Sequence, residues 1–203
     1  MSTISIIGAG NMATAIGTRA AAHGHTVEIL SRDTAKAQAA ADQIGHGATV
    51  GTYGEKPAGE IVFLTVLFAG AVEVAQHFGD SLAGKIVIET TNPFTADASG
   101  LVTSPGNSVA DQIAAVAPAD TRVIKAFNTV FRDVLAADGP LDVFFAGGDA
   151  DARAKVADLL QSMGMRPLDT GGAESTHALE WAGILIMGLA RNGAGFGVAL
   201  GAK

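Results

Sequence analysis

The stretch "TISIIGAGNMATAIG", residues 3–17, decides the fold of this chain. It begins with a short apolar run that ends in glycine, a pattern that predicts a buried strand. It continues with Met12, Ile16 and, just beyond the stretch, Ala20, whose spacing of four predicts a helix. A strand that turns through glycines directly into a helix is the setting in which phosphate-binding turns occur.

The turn itself, "GAGNMA" at residues 8–13, has the spacing G-x-G-x-x-A. In that pattern the first glycine permits a tight turn, and the second lets the backbone approach a pyrophosphate. The third position, Ala13 here, is where the helix packs on the strand, and alanine is an accepted variant. We therefore predict a dinucleotide-binding turn whose cofactor contacts come from Gly8, Gly10, Asn11 and Met12.

Beyond this turn, strand and helix patterns alternate along the chain. The runs that predict further strands are "TVEIL", "ATVG", "IVFLTV", "KIVIETT", "RVIKAFN", "DVFFAGG" and "MRPLDT". Such alternation implies parallel strands joined by right-handed crossovers, and so a doubly wound α/β sheet. We predict a Rossmann dinucleotide-binding domain at residues 1–140 and a strand–helix–strand–helix extension at residues 141–203. The stretch 92–107 has neither pattern and is predicted to be a long irregular loop, of the kind that is often functional.

Composition excludes several classes of partner. The net charge of −7 disfavours binding to nucleic acids or to anionic membranes. There is no cysteine, which excludes disulfides, thiolate metal sites and a cysteine nucleophile. The N-terminal apolar run has no basic region before it, and no apolar stretch approaches the roughly 20 residues that span a bilayer. We therefore expect no signal peptide, a cytoplasmic location and a small-molecule partner.

The end of the second predicted strand distinguishes two nicotinamide cofactors. An acidic residue there would bind the ribose 2′-hydroxyl of NAD, but the residues just after the strand are Ser31 and Arg32, with Lys36 one helical turn on. All three side chains can bind a phosphate, and arginine can donate two parallel N–H groups to it. Glu28 falls inside the strand, and Asp33 is predicted to be the N-cap of the next helix. The trio therefore predicts a site for the 2′-phosphate of NADP(H).

Longer blocks of the sequence resemble the family of coenzyme F420-dependent NADP oxidoreductases. These blocks are "GAGNM", "SRDTAK", "TVLFAGA", "KIVIETTNP", "VIKAFNTV" and "DVFFAGGDADARAKVADLLQSMGMRPLDTG". The last two are the most specific, because "GAGNMA" alone is also similar to pyrroline-5-carboxylate reductase. That enzyme needs a long helical substrate domain, for which the residues after Gly171 are too few. The resemblance implies hydride transfer between NADPH and the deazaflavin coenzyme F420.

The resemblance also implies which residues surround the two reactants. Besides the glycine turn and the phosphate-binding trio, the cofactor would contact Thr65, Val66, Leu67, Phe68, Asn92, Pro93, Phe127, Asn128 and Thr129. The acceptor would contact Asn128, Val130, Phe196 and Gly197. At Leu67 this chain departs from the family, which often has proline at that position.

Hydride transfer between two stacked rings needs orientation and a dry pocket more than it needs acidic or basic side chains. The sequence agrees, since it has no HExxH motif, no nucleophile elbow and no carboxylates at metal-ligand spacing. We predict neither a catalytic side chain nor a metal. His177 could reach a pocket or face solvent. Lys125 could face a ligand phosphate or pair with an acid at the end of the sheet.

Two other functions remain open from the sequence. The acceptor could be a flavin, a ferric-flavin complex or a small imine instead of F420, or the chain could be a non-catalytic NADP-binding sensor. The segment 181–189 is apolar on every side of a predicted helix, which indicates burial on every side. We therefore expect a homodimer, with part of this helix in the subunit interface.

Overall fold

A computed structural model describes residues 1–137 and 139–202, and within them it forms one eight-stranded sheet. The strands are β1 (Thr3–Ile7), β2 (Thr26–Leu30), β3 (Thr49–Val50), β4 (Ile61–Leu64), β5 (Ile86–Glu89), β6 (Arg122–Ala126), β7 (Asp142–Gly147) and β8 (Arg166–Asp169). The helices are α1 (Asn11–Ala22), α2 (Thr34–Ile44), α3 (Phe68–Phe78), α4 (Val109–Val116), α5 (Arg132–Ala136), α6 (Ala150–Ser162) and α7 (Thr176–Leu189). Short 3₁₀ turns lie at Gly79–Leu82 and Ala173–Ser175, and an irregular helical turn at Ala190–Ala194 follows α7.

The strands lie in the order β3-β2-β1-β4-β5-β6-β7-β8. From β3 to β6 all neighbouring strands are parallel. The chain moves outward from β1 to β3, returns to place β4 on the other side of β1, and then moves outward again. This is the doubly wound α/β sheet predicted from the sequence, and its carboxyl edge between β1 and β4 is where ligands of such folds bind.

Alternate residues of the central strands enter two different hydrophobic cores. Ile4 and Ile6 of β1 pack into the core beneath α1, α2 and α6. Ile7, the next residue, packs with Leu30 and Leu64 into the core beneath α3 and α4. Because helices cover both faces of the sheet, both sides of each strand must be apolar. That is the physical reason for the continuous apolar runs in the sequence.

One pairing differs from the prediction of an all-parallel sheet. Strand β7 runs antiparallel to β6, with Ala126 opposite Phe145 and Ile124 opposite Gly147. A parallel pairing would need a crossover that returns the chain to the starting end of the sheet. The connection here contains only the short helix α5 and enters β7 from the carboxyl end of β6. The pair β7 and β8, joined through α6, is parallel as expected.

The C-terminal extension continues the sheet, and a buried arginine joins it to the first helix. Arg19 of α1 is 3% exposed. Its guanidinium donates to the carbonyls of Met163 and Gly164, in the turn between α6 and β8, at 2.9 and 3.1 Å. It also donates to the carbonyls of Leu135 and Gly139, before β7. One side chain thus donates to carbonyls of two separate segments, the one between β6 and β7 and the turn between α6 and β8.

We predict that Arg19→Met lowers the free energy of unfolding by roughly 2–4 kcal/mol, because methionine fills the space but leaves these carbonyls without donors. Urea denaturation followed by circular dichroism measures the change.

Arg122→Ala is the matched control. Arg122 forms an exposed ion pair with Asp149, and such pairs contribute about 0–1 kcal/mol. Equal losses in the two variants would show that the buried guanidinium has no special role.

Candidate functional site

A cavity of about 830 Å³ lies at the carboxyl ends of β1, β2, β4 and β5. Its volume is within the range of small-molecule and cofactor sites. The residues that line it are Ile7, Gly8, Ala9, Gly10, Asn11, Met12, Ser31, Arg32, Lys36, Tyr53, Thr65, Val66, Leu67, Ala69, Gly70, Val74 and Thr90. No acidic residue is among these described lining residues, so the cavity carries a positive charge at its β2 end. It brings together the glycine turn, the phosphate-binding trio and the end of β4.

The glycine turn has the geometry that the sequence predicts for each glycine. Gly8 has φ +127°, and a Cβ at this position would lie 2.5 Å from Oγ1 and 2.6 Å from the carbonyl oxygen of Thr65. No other residue fits there, because the turn presses directly on the end of β4. At Gly10 a Cβ would meet no atom within 4 Å. The backbone at Gly10 is therefore open to a ligand in the cavity.

Two helices begin at this cavity without a capping side chain. Gly10 precedes α1 and Leu67 precedes α3, and neither side chain accepts a bond from the first helical turn. Helices α2 and α6, in contrast, are capped by Asp33 and Asp149. The uncapped N–H groups and the positive ends of α1 and α3 are thus available to an anion. This arrangement fits a dinucleotide pyrophosphate.

The predicted 2′-phosphate trio lies at the rim of the cavity next to β2. Ser31, Arg32 and Lys36 all line it. Asp33 accepts a bond from the Lys36 amide at 3.1 Å, which confirms it as the N-cap of α2 and lowers the pKa of its carboxyl. The Asp33 amide in turn donates to the Ser31 hydroxyl oxygen at 3.3 Å. The Ser31 hydroxyl hydrogen is therefore free to donate to an anion.

Glu28 does not reach the cavity, as its position inside β2 predicts. Its carboxylate accepts a bond from the Ser5 hydroxyl at 2.6 Å and from the Ala58 amide at 2.8 Å. Both partners lie away from the cavity edge, on β1 and on the loop before β4. Glu28, the acid that could have bound the ribose of NAD, therefore holds β1 and the loop before β4 instead. Ser31 and Arg32 are the side chains at the end of β2 that face the cavity.

Sequence reasoning missed seven residues that line the cavity, of which Tyr53 and Thr90 are the two with polar side chains; the others are Ile7, Ala9, Ala69, Gly70 and Val74. The Tyr53 ring stacks on His77 with centroids 4.9 Å apart and meets the edge of Phe78. Burial raises the pKa of the Tyr53 phenol. Thr90 donates its hydroxyl to the carbonyl of Leu64, beside the site. No pattern marks Tyr53 in the sequence, because it follows a two-residue strand, whereas Thr90 directly follows a strong strand and could have been found.

The residues expected around the nicotinamide divide into two groups. Thr65, Val66 and Leu67 line the cavity, and Leu67 is 84% exposed, while Phe68 begins α3 just behind them. Asn92, Pro93 and the segment 127–130 lie outside the lining, beyond Thr90 along the same edge of the sheet.

In the segment 127–130 most side chains are buried, so that a ligand could meet the backbone more readily than the side chains. The Phe127 ring is fully buried against Phe63, so only the backbone of Phe127, at φ +64°, could face a ligand. The contact with the cofactor that the resemblance implies for Phe127 would therefore involve its backbone and not its ring. Thr129 and Val130 are also buried. Asn128 donates to Oδ1 of Asn92 at 3.0 Å, and Asn92 donates to the carbonyl of Asn128 at 2.7 Å.

The loop at residues 92–107 is irregular, as predicted, but it is internally bonded. Phe94 and Leu101 form an isolated bridge. The Thr95 hydroxyl and the hydroxyl and amide of Ser99 donate to Asp97, and these bonds lower the pKa of the Asp97 carboxyl to about 2. Asp97 is therefore ionised at neutral pH and keeps the loop tip bonded.

Phe196 and Gly197, the predicted acceptor contacts near the C-terminus, lie in a turn of the C-terminal tail. Phe196 is 54% exposed, and its ring meets the edge of Phe131 at 5.1 Å. Farther along, Ala199 forms a bridge with Val130, and the Ala202 amide donates to Asp142. The tail therefore crosses the carboxyl end of β6, on the side where the acceptor is expected.

Lys125 and His177 are placed differently from each other. Lys125 is fully buried and pairs with Glu89 and Glu180, so of the two alternatives that the sequence left open the structure has the acid partner and not a ligand phosphate. His177 is partly buried against the edge of Trp181, and its Nε2 has no hydrogen-bond partner among the described residues. His177 is not among the cavity residues.

Comparisons with known proteins agree with this geometry. Residues 3–93 match the model of the family described as NADP oxidoreductase, coenzyme F420-dependent. The F420-dependent NADP reductase of Methanothermobacter marburgensis is 27% identical over 192 residues, which are 85% of this chain and 85% of that protein. The rat metalloreductase STEAP3 is 28% identical over 180 residues, which are 87% of this chain but only 35% of the metalloreductase.

A solved structure shares the fold over almost the whole chain. It is of an Arthrobacter sp. FB24 protein provisionally named an F420-dependent NADP-reductase, with a TM-score of 0.83 and 23% identity. The match covers 95% of both chains. At this identity the structure supports the fold alone.

The fold defines the class first: the chain has a Rossmann fold, and the family and relatives that it matches are NADP-dependent oxidoreductases. Residues 3–93 match the model of the F420-dependent NADP oxidoreductases, which agrees with the resemblance seen in the sequence. Among the described residues, none of the helices has both the length and the apolar character needed to cross a membrane.

We predict that Arg32→Ala weakens NADPH binding by about 1–3 kcal/mol, the loss expected for a hydrogen-bonded charge, and leaves NADH binding nearly unchanged. Titration calorimetry with both nucleotides measures the two affinities.

Asp33→Asn supplies a control of opposite sign. Asparagine also caps helices, so α2 is kept, while the carboxylate 3.6 Å from the Lys36 ammonium is lost. NADPH binding should strengthen by about 0.2–1 kcal/mol, the magnitude of exposed charge pairs. If Arg32→Ala weakened both nucleotides equally, Arg32 would not read the 2′-phosphate.

Proposed function

We propose that this protein transfers hydride between NADPH or NADP⁺ and the deazaflavin coenzyme F420. The observation that carries the proposal is the composition of the cavity. Its β2 end offers a phosphate-binding trio, its centre offers two uncapped helix ends, and its β4 end offers apolar and hydroxyl groups. Such a site can hold a dinucleotide along its whole length, with the 2′-phosphate at Ser31, Arg32 and Lys36.

The bound NADPH supplies the hydride, and the chain's residues would orient it and exclude water. Gly8, Gly10, Asn11 and Met12 would hold the pyrophosphate against α1. Thr65, Val66 and Leu67 would position the nicotinamide beside the end of β4, with Asn92 and Asn128 beyond it. No acid or base among the lining residues is needed, since hydride moves directly between two stacked rings.

The F420 side of the proposal rests on the family resemblance and on one feature of the chain. The exposed tail at Phe196 and Gly197 crosses the end of β6, where a flat ring could lie over the nicotinamide. A flavin, ferric-flavin or small imine acceptor is the second candidate. It is favoured by Leu67, an exposed residue at the α3 terminus where the family often has proline.

The test of the function is an acceptor comparison. We expect the purified protein with NADPH to bleach the visible absorbance of F420, with NADH a much weaker donor. FMN, FAD, ferric-FMN and a cyclic imine are assayed in parallel under the same conditions. Reduction of one of these without reduction of F420 would replace the proposed acceptor with that one, and no turnover with any of them would overturn the proposed reaction.

We also propose a homodimer that uses the outer face of α7. Trp181, Leu185 and Leu189 lie four residues apart on that helix and are 50%, 58% and 46% exposed. An apolar stripe of this kind is typical of a surface that another chain covers. A second copy of α7 offers the complementary stripe, because a two-fold interface pairs the same patch on both subunits.

Leu185→Glu should convert this dimer to a monomer, because two carboxylates would be placed in the apolar seam. Light scattering after size-exclusion chromatography measures the mass. Ala39→Glu, on the exposed face of α2, is the matched control and should leave the mass unchanged. A wild-type protein that is monomeric at all accessible concentrations would refute the dimer.

A further inference from the structure

Three fully buried charged side chains meet at the ends of β5 and β6. The Lys125 ammonium lies 2.5 Å from Oε2 of Glu89 and 3.5 Å from Oε1 of Glu180 on α7, and all three side chains are 0% exposed. Burying ions is costly unless they are paired and hydrogen-bonded, so the cluster must be well satisfied to persist. It is: Lys125 also donates to the carbonyl of Thr91 at 2.9 Å, and the Thr91 amide donates to Glu89.

Glu180 connects this cluster to two other parts of the chain. One oxygen accepts a bond from the Val109 amide at the start of α4, at 2.9 Å. The other accepts a bond from the hydroxyl of Thr103, in the irregular loop, at 2.5 Å. Next to it, the Ser108 and Thr176 hydroxyls are 2.8 Å apart. A single carboxylate therefore fixes α7, the loop and α4 relative to β6.

The amide pair described above lies directly beside this charged cluster. Asn92 directly follows Thr91, whose carbonyl accepts a hydrogen bond from Lys125. Asn128 is three residues after Lys125. Asn128 also donates to the carbonyl of Leu179, the residue before Glu180, at 2.7 Å. The residues that bond the amide pair are thus one to three positions along the chain from residues of the charged cluster. A shift of the cluster would therefore displace the pair.

Helix α7 approaches the amide pair so closely that only glycine fits. A Cβ on Gly183 would lie 2.3 Å from Oδ1 of Asn92 and 3.3 Å from Nδ2 of Asn128. On its other side, Asn128 keeps one buried acceptor, Oδ1, without a partner among the described residues. The pair is therefore fixed on the α7 side and has a free hydrogen-bonding group remaining.

We propose that Glu180 and Lys125 are positioning residues for hydride transfer: the buried cluster sets the Asn92–Asn128 pair, and that pair sets the nicotinamide ring. The proposal rests on the proposed function in one respect, the location of the nicotinamide against this pair. The 2′-phosphate end, at Ser31 and Arg32, is far along the cavity and supplies affinity independently.

The test uses the fluorescence of bound NADPH, which reports how the nicotinamide ring is held separately from the Kd for NADPH and requires no hydride acceptor. Bound NADPH fluoresces more strongly when its nicotinamide is held in a dry, rigid site, so emission per bound molecule reports on ring placement. Glu180→Gln keeps the side-chain shape and oxygen but removes the charge that faces Lys125. We expect it to bring the emission toward that of free NADPH while the Kd for NADPH changes little.

Gly183→Ala reaches the same pair without touching the charges. It should displace Asn92 and lower the emission in the same way, while α7 itself stays helical because alanine is the better helix former. Arg32→Ala should do the reverse, with a weaker Kd and normal emission per bound molecule. Glu60→Gln, an exposed carboxylate that pairs with Lys155, is the matched control and should change neither quantity.

Where the wild type reduces F420, stopped-flow measurement adds a second result. Hydride transfer should slow about 10- to 100-fold in Glu180→Gln, the range for a reactant misplaced by a fraction of an ångström to an ångström. Adding Asn128→Ala to that variant should slow it little further, because both changes act through one pair.

The outcomes that overturn the proposal are specific. If Gly183→Ala has the same emission per bound NADPH as the wild type, the amide pair does not position the ring. If Glu180→Gln has the wild-type emission, the charged cluster does not. If Glu180→Gln does not fold, Thr103→Val, which removes one donor to the same carboxylate, replaces it. A wild type that fails to reduce F420 refutes the proposed acceptor alone, and the emission of bound NADPH still decides the positioning role.

Discussion

The contact between Gly8 and Thr65 is the constraint on which the rest of this site depends. Any side chain at Gly8 would overlap the Thr65 backbone, and the positive φ there excludes other residues as well. The tight turn brings the start of α1 directly over the end of β4. Because α3 begins three residues after Thr65, the same contact also brings the two uncapped helix ends to one cavity. A ligand phosphate can then meet both.

Much of this arrangement could be predicted from the sequence, because local rules determine it. The apolar runs that predicted strands are explained by the two cores, since Ile6 and Ile7 enter opposite ones. Ser31, Arg32 and Asp33 could be placed because a parallel strand ends at a known edge and an aspartate there caps the next helix. In each case the residue's environment follows from its position in one strand–turn–helix unit.

The features that could not be predicted depend on pairing between distant segments. Nothing within the strand itself distinguishes an antiparallel β7 from a parallel one, since both faces of the strand are apolar either way. Tyr53 lies in the loop after the two-residue strand β3, and its ring is packed beside the cavity by stacking on His77 of α3. The sequence allowed either a ligand or an acid as the partner of Lys125. Its ion pairs with Glu89 and Glu180 join β6 to β5 and α7. Such partners follow from topology, which sequence periodicity does not encode.

The missing caps on α1 and α3 have a practical consequence for the apoprotein. Helix ends that lack an internal acceptor attract whatever small anion is present in solution. Phosphate and sulfate in a buffer would therefore compete with the nucleotide, and would stabilise the empty protein by the same mass action. Affinities measured in such buffers would differ from those in chloride, and a thermal shift could report the buffer instead of the cofactor. The choice of counter-ion thus becomes part of the definition of the ligand-free state.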